Sequence, residues 1–156
     1  MWLDSHCHVT ANRFDDDRAE VIERSFAGGV DELVSIGSGY GIKGNAEAIA
    51  LAETDDRIWA TVGVHPHEAG ELDDENRAAI REWLGHDRVV ALGECGLDYH
   101  YMNSPREIQR EVFAEQVALA RLDGQPVDEL AHKGGIDLGA CSSSSSKTKT
   151  MSRSLP

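Results

Sequence analysis

At 156 residues, 40% of them hydrophobic, the chain is long enough for one globular domain and short of the roughly 250 residues of a complete (β/α)8 barrel. Its 28 acidic against 15 basic residues leave a net charge of −13, which excludes a polyanion grip built on general electrostatic attraction; positive charge beside a phosphate has to be local, and a bound metal ion is one way to supply it. No apolar stretch approaches the roughly 20 residues of a membrane span and the start MWLDSHCH is no signal peptide, so the expectation is a cytoplasmic protein without a membrane partner.

The first predicted element is a short strand that opens on Met1-Trp2-Leu3 and runs into Asp4-Ser5-His6-Cys7-His8, "DSHCH". Helical spacing of Val21, Ile22 and Phe26 predicts a helix from Asp15 to Ala27, with acids at its start and Gly28-Gly29 at its stop. Leu33 to Ile36 is a buried-type strand, and "GSGYGIKG", Gly37 to Gly44, follows it as a flexible connection that matches neither the dinucleotide fingerprint nor the Walker pattern. A helix over Ala46 to Glu53, a strand over Ile58 to Val64, a helix over Asp73 to Leu84 and a strand over Val89 to Gly93 come next. The last long helix runs from Pro105 to Leu122, with Ser104 as its N-cap and Ile108, Val112, Phe113, Val117, Leu119 and Ala120 on one face. Strand and helix alternate in units of about 30 residues, and four such units predict parallel strands joined by crossovers.

A fifth strand is due after Leu122, but the text there offers only a weak start at Pro126-Val127. Beyond it Ser142 to Ser146 and "KTKTMSRSLP" are polar and low in complexity, and read as disordered. Cys7, Cys95 and Cys141 are widely spaced, without a C-x-x-C pair, and read as reduced thiols.

Three constellations carry chemistry. Alternation along a strand puts Asp4, His6 and His8 on one face, so two imidazoles converge where a divalent ion can bind, with Asp4 as a ligand or as a group orienting a ring. The alternative is a hydrogen-bonded histidine pair capping a strand. Glu94, in "ALGECGLDYH", follows the strand Val89 to Leu92, and in parallel α/β folds the strand C-terminal ends share one face, which places it on the same rim as His6 and His8. A carboxylate there can bridge two cations, or serve as an ordinary turn acid. Asp98 either orients a ligand or shapes the loop. In "GVHPHE", His65 and His67 flank Pro66 after a strand, and as donors they can hold a phosphate oxygen or protonate a leaving group, or face solvent on a loop. His86 and His100 carry no assigned role.

"DSHCH", "GVHPHE" and "GECGLDYH", in that order and each after a predicted strand, resemble the TatD-related metal-dependent deoxyribonuclease family over about residues 2 to 122. The resemblance implies an amidohydrolase-like TIM-type (β/α)8 barrel, one or two divalent metals (Mg, Mn or Zn) at the strand C-termini, and hydrolysis of DNA phosphodiesters from a 3′ end. By position, His6, His8 and Glu94 match metal ligands, Glu94 is carried as catalytic, and His65 matches a pocket residue near the substrate phosphate. The family continues with an I-H-x-R type strand end, a further His and a late Asp. Here His132 in "LAHKGG" lies near the first of these places, with Gly134 where the arginine belongs. Residues 1–124 thus read as the N-terminal half of the barrel and 125–156 as a divergent tail, as a truncation or shifted reading frame would produce.

Half a barrel leaves two unpaired strand edges, which implies self-association. Two further functions share these residues: an amide or lactone hydrolase on the same metal site, and an inactive fragment that binds metal or a partner.

Overall fold

A computed structural model describes residues 1–124 and 126–131 of the chain. Five strands form one parallel sheet in sequence order: β1 (Leu3–Cys7), β2 (Glu32–Ile36), β3 (Ile58–Val62), β4 (Val89–Leu97) and β5 (Val127–Ala131). Four helices, α1 (Arg18–Ala27), α2 (Lys43–Ala52), α3 (Asp74–Leu84) and α4 (Arg106–Asp123), connect them in turn. Sequential, uniformly parallel neighbours joined by helices make about the first half of a TIM-type (β/α) barrel.

The strands form where β-branched and apolar residues run together, and they are buried because helices cover the sheet. Ile36, Ile58, Val62, Val64 and Leu92 are at most 1% exposed. Ala48, Ile49 and Ala52 of α2, Ile80 and Leu84 of α3, and Val112 and Ala120 of α4 pack into the same core. Each large aliphatic side chain so buried contributes about 1.5–3 kcal/mol against leaving it in water. The small residues at 44, 48 and 52 let α2 lie close on the sheet, and the Asn45 side chain bonds both the N–H and C=O of Gly63.

Several boundaries differ from the sequence reading for local reasons. The first helix begins at Arg18 rather than Asp15, because Asn12–Phe14 form a 3-10 turn and the Arg18 guanidinium folds back onto the carbonyls of Val9 and Thr10. Asp73 caps α3 by accepting from Asn76 N–H at 2.8 Å. Ser104 is not the cap of α4: Pro105 holds that position without a side-chain bond. Its hydroxyl instead donates to His67 O at 2.8 Å and accepts from Gly70 N–H at 3.1 Å, tying two loops together.

The third strand stops at Val62, and Pro66–Glu71 form a 3-10 turn. β4 continues past Gly93 to Leu97, so Glu94 lies inside the strand instead of after it. A fifth strand is present where the sequence offered only a weak start; it pairs with β4 through Leu92↔Val127, Cys95↔Glu129 and Leu97↔Ala131. His132, Cys141 and the polar run from Ser142 onward lie outside the described residues. Among the described residues β1 and β5 each have one strand neighbour, and Leu3 to His6 are exposed along the outer edge of β1.

Candidate metal centre

Both strands that carry the candidate ligands are bulged. Between Asp4 and Cys7 β1 advances three residues while β2 advances two, from Leu33 to Ser35. Between Leu92 and Cys95 β4 advances three while β5 advances two. An extra residue bends a strand locally and re-aims its side chains. In β4 the bulge runs through Gly93 at φ 154°, and Gly96 follows it at φ 148°, backbone that favours glycine at both; Glu94 stands between them. Between the two histidines, Cys7 donates its thiol to Val34 O at 3.3 Å, which ties this part of β1 to β2. Burial, with Asp4 nearby, pushes that thiol up to about 11, so it stays protonated.

The result is a compact triangle. His6 Nε2 and His8 Nε2 are 3.3 Å apart, and Glu94 Oε2 lies 3.7 Å from the first and 3.5 Å from the second. Among the described residues this is the one cluster of three such groups whose ligand atoms fall within 4.8 Å of one another. Tetrahedral ligands at about 2.0–2.2 Å from one ion stand roughly 3.3–3.6 Å apart, so the triangle has the dimensions of one face of such a site. The donor set, two imidazoles and a carboxylate, suits a borderline divalent ion, and three protein ligands leave room for one more. His8 Nδ1 is buried without a hydrogen-bond partner, which leaves Nε2 as the nitrogen through which this ring can act.

Glu94 is 6% exposed. Burial pushes its carboxyl up, but the His8 hydrogen bond and the neighbouring His65, His6 and His8 rings outweigh it and hold the group below the ordinary carboxylate value. Asp4 stands apart from the triangle; its Oδ1 accepts from the backbone N–H of His6 at 3.2 Å.

The Pro66 turn places His65 beside the triangle. Its Nδ1 accepts from His67 N–H at 3.1 Å, so the proton of the neutral ring sits on Nε2. Burial, opposed by Glu94, pushes this imidazole down to about 4, which keeps it a neutral donor at pH 7. His67 packs edge-on against His65, with ring centroids 4.4 Å apart, and turns its Nε2 to Oδ2 of Asp98 rather than to the triangle. Asp98 is fully buried, and its other oxygen accepts from the N–H groups of His100 and Tyr101 at 2.8 and 3.0 Å.

Burial alone pushes the Asp98 carboxyl up; the bonds from His67, Tyr101 and His100 overcome it and leave the group at about 2. Because that lies below the unfolded value near 3.9, ionised Asp98 favours the folded state above about pH 4, and the contribution fades as pH falls toward 2. The loss amounts to about 2 kcal/mol. Thermal melts from pH 5 to 2 are expected to fall more steeply for the wild type than for Asp98→Asn; parallel acid limbs would show that this carboxylate is not held in the folded state.

Other residues of the site carry no assignment from the sequence. Ser38 is fully buried and donates to Glu94 O at 2.9 Å, bracing the bulge. Glu68, the last letter of "GVHPHE", accepts from Gly39 and Gly41 N–H at 3.4 and 2.7 Å, so the glycine-rich segment after β2 is tied down rather than a free connection. Tyr40 is thereby set against the His8 ring, with centroids 5.4 Å apart. Gln109 and Gln116 are buried on α4 and bond the backbone of Asp98 and Val64. They had a legible signal: two amides, seven residues apart, on the same helical face as Val112 and Ala120.

Fold and site together define a class: a parallel α/β barrel, here about its first half, that gathers imidazole and carboxylate groups at the strand C-terminal ends. Within it the chain belongs to the TatD related DNase family, whose sequence profile matches residues 3–128. It is 41% identical over 127 residues to the uncharacterised metal-dependent hydrolase YabD of Bacillus subtilis, covering 81% of this chain and 49% of that protein. It is 38% identical over 125 residues to the 3′-5′ ssDNA/RNA exonuclease TatD of Cronobacter sakazakii, covering 80% and 47%. The crystal structure of YJJV, a TatD homologue from Escherichia coli K12, superimposes with a TM-score of 0.73 at 28% identity over 81% of this chain and 49% of that one. The chain spans about half the length of the curated relatives it matches. No helix among the described residues is long and apolar enough to cross a membrane.

Proposed function

We propose that this chain acts as a metal-dependent phosphodiesterase on single-stranded nucleic acid, removing nucleotides from a 3′ end, with His6, His8 and Glu94 holding a divalent cation. The observation that carries the reading is the triangle of 3.3, 3.5 and 3.7 Å between their ligand atoms. A divalent ion bound there supplies Lewis-acid charge to a phosphoryl oxygen and acidity to water. Glu94, ionised and braced by Ser38, contributes the negative charge that retains the ion. His65, neutral with its proton on Nε2, donates to a non-bridging phosphate oxygen. Asp98 positions His67 on the same rim, Asp4 steadies the strand by bonding His6 N–H, and the relatives named as 3′-5′ ssDNA/RNA exonucleases support the polarity of attack and the substrate class.

The test is end-labelled oligodeoxynucleotide incubated with the 156-residue chain and Mg2+, Mn2+ or Zn2+. Shortening from the 3′ end that a chelator stops is the expected result, with small amides and lactones left intact. Intact oligonucleotide under every ion overturns the reading; turnover of the amide or lactone instead assigns the site to that hydrolase class. A second reading, a non-catalytic fragment that binds metal or associates through its strand edges, draws on the exposed outer edge of β1, where Leu3 is 47% exposed and Trp2, just before the strand, 77%. Metal binding without any turnover, together with a concentration-dependent rise in molecular mass, selects it.

A further inference from the structure

The rim around the triangle carries two exposed aromatic rings that the chemistry above does not use. Tyr40 is 45% exposed on the segment after β2, and Tyr101 is 62% exposed on the segment after β4. Each is tethered to the site from both sides. Glu68 grips the backbone N–H groups of Gly39 and Gly41, and the Tyr40 ring meets His8 edge-on at 5.4 Å with planes 69° apart. Asp98 accepts from Tyr101 N–H, and the Tyr101 ring meets His67 at 5.7 Å and His100 at 4.6 Å, again nearly perpendicular.

The two carboxylates therefore do the same thing on either flank: each fixes a short turn so that a tyrosine stands at the rim beside an imidazole of the site. β2 and β4 flank β3, which puts the two segments about 10 Å apart at the strand ends. Both rings are partly exposed here, so a flat apolar group can reach them. The net charge of −13 rules out a grip made of general attraction to phosphates, which favours a contact that ignores charge for affinity beyond the metal and His65. Base stacking on tyrosine does so and tolerates any sequence.

We propose that Tyr40 and Tyr101 are stacking platforms for two nucleobases of a single strand whose phosphate lies over His6, His8 and Glu94; the inference rests on the nucleic-acid reading given above. It makes unstacked bases a requirement, because bases locked in a duplex cannot reach the rings. Truncating either ring removes one stacking contact of about 1–3 kcal/mol, which is a loss of about 5- to 150-fold in affinity.

The test uses fluorescence anisotropy with the full chain, Mg2+ and a hydrolysis-resistant phosphorothioate oligothymidylate of eight nucleotides, alongside an abasic phosphorothioate of the same length. Tyr40→Ala and Tyr101→Ala are each expected to weaken oligothymidylate binding by that factor, Tyr40→Phe and Tyr101→Phe to retain it, and the abasic probe to bind wild type and variants alike. Alanine variants that bind oligothymidylate as the wild type does overturn the platforms and leave the phosphodiesterase reading standing. The same holds if the alanine substitutions weaken the abasic probe equally, since the rings would then act through His8 and His67. A wild type that binds neither probe overturns both readings.

Discussion

A His8→Ala chain is expected to bind Zn2+ or Mn2+ at least ~100-fold more weakly than the wild type, because loss of a partner that only supports a ligand already costs about 10–100-fold. His8 Nε2 occupies the short corner of the triangle, 3.3 Å from His6 Nε2 and 3.5 Å from Glu94 Oε2, so its removal leaves two groups 3.7 Å apart that no longer define a face. The same change has a thermodynamic signature that needs no turnover. An ion at 100 times its dissociation constant stabilises the folded chain by about 2.7 kcal/mol, and a 100-fold loss of affinity reduces that to about 0.4 kcal/mol. Calorimetric titration with the metal alone and thermal melts with and without it both read this out. His86→Ala is the matched control, since that ring pairs with Glu53 at 3.2 Å, away from the triangle. Equal affinities of His8→Ala and wild type would remove the triangle as the binding site.

The parts of this arrangement that the sequence displays are those written in periodicity. Apolar runs at Leu33, Ile58 and Val89 with amphipathic stretches between them give parallel strands and crossovers, and the i, i+2 spacing of His6 and His8 puts both rings on one face. The parts it hides depend on backbone hydrogen bonds between distant segments. β5 needs no apolar run to exist, because Leu92 N–H already bonds Pro126 O and the ladder follows from the exposed edge of β4. Glu94 reads as a residue after a strand because Gly93 and Gly96 look like an ending; the bulge that keeps it inside β4 is a property of its pairing with β5. Ser104 before Pro105 has the composition of a helix cap, yet the N–H of Gly70 and the O of His67, both more than 30 residues away, compete for its hydroxyl and win. Glu68 was in plain view beside His67, but its partners Gly39 and Gly41 lie across the site, and no local pattern links them.

Gln109→Leu and Gln116→Leu are expected to lower the melting temperature by about 5–15 °C each, the largest effects on stability away from the core aliphatics. Gln116 accepts from Val64 N–H at 2.8 Å and donates to Val64 O at 3.1 Å, as a neighbouring strand would, at the point where β3 has ended. Gln109 repeats the device one strand on: it accepts from Asp98 N–H at 2.8 Å and donates to Asp98 O at 3.0 Å and Ser104 O at 2.7 Å. Leucine fills much the same space but leaves two or three buried backbone groups without partners, each worth about 1–3 kcal/mol, and its buried apolar side chain offsets about 1–3 kcal/mol of that, so the net penalty is about 2–5 kcal/mol. For a chain of this size each kcal/mol moves the midpoint by about 2–4 °C. The pair also separates stability from binding. Val64 precedes His65 and Asp98 holds His67, whereas the triangle rests on β1 and on the bulge of β4, so metal affinity measured below the lowered midpoint should stay within a few-fold of wild type. Midpoints within 1 °C or so of wild type would mean that water substitutes for both amides, and that α4 covers the sheet without steering the segments that carry the histidines.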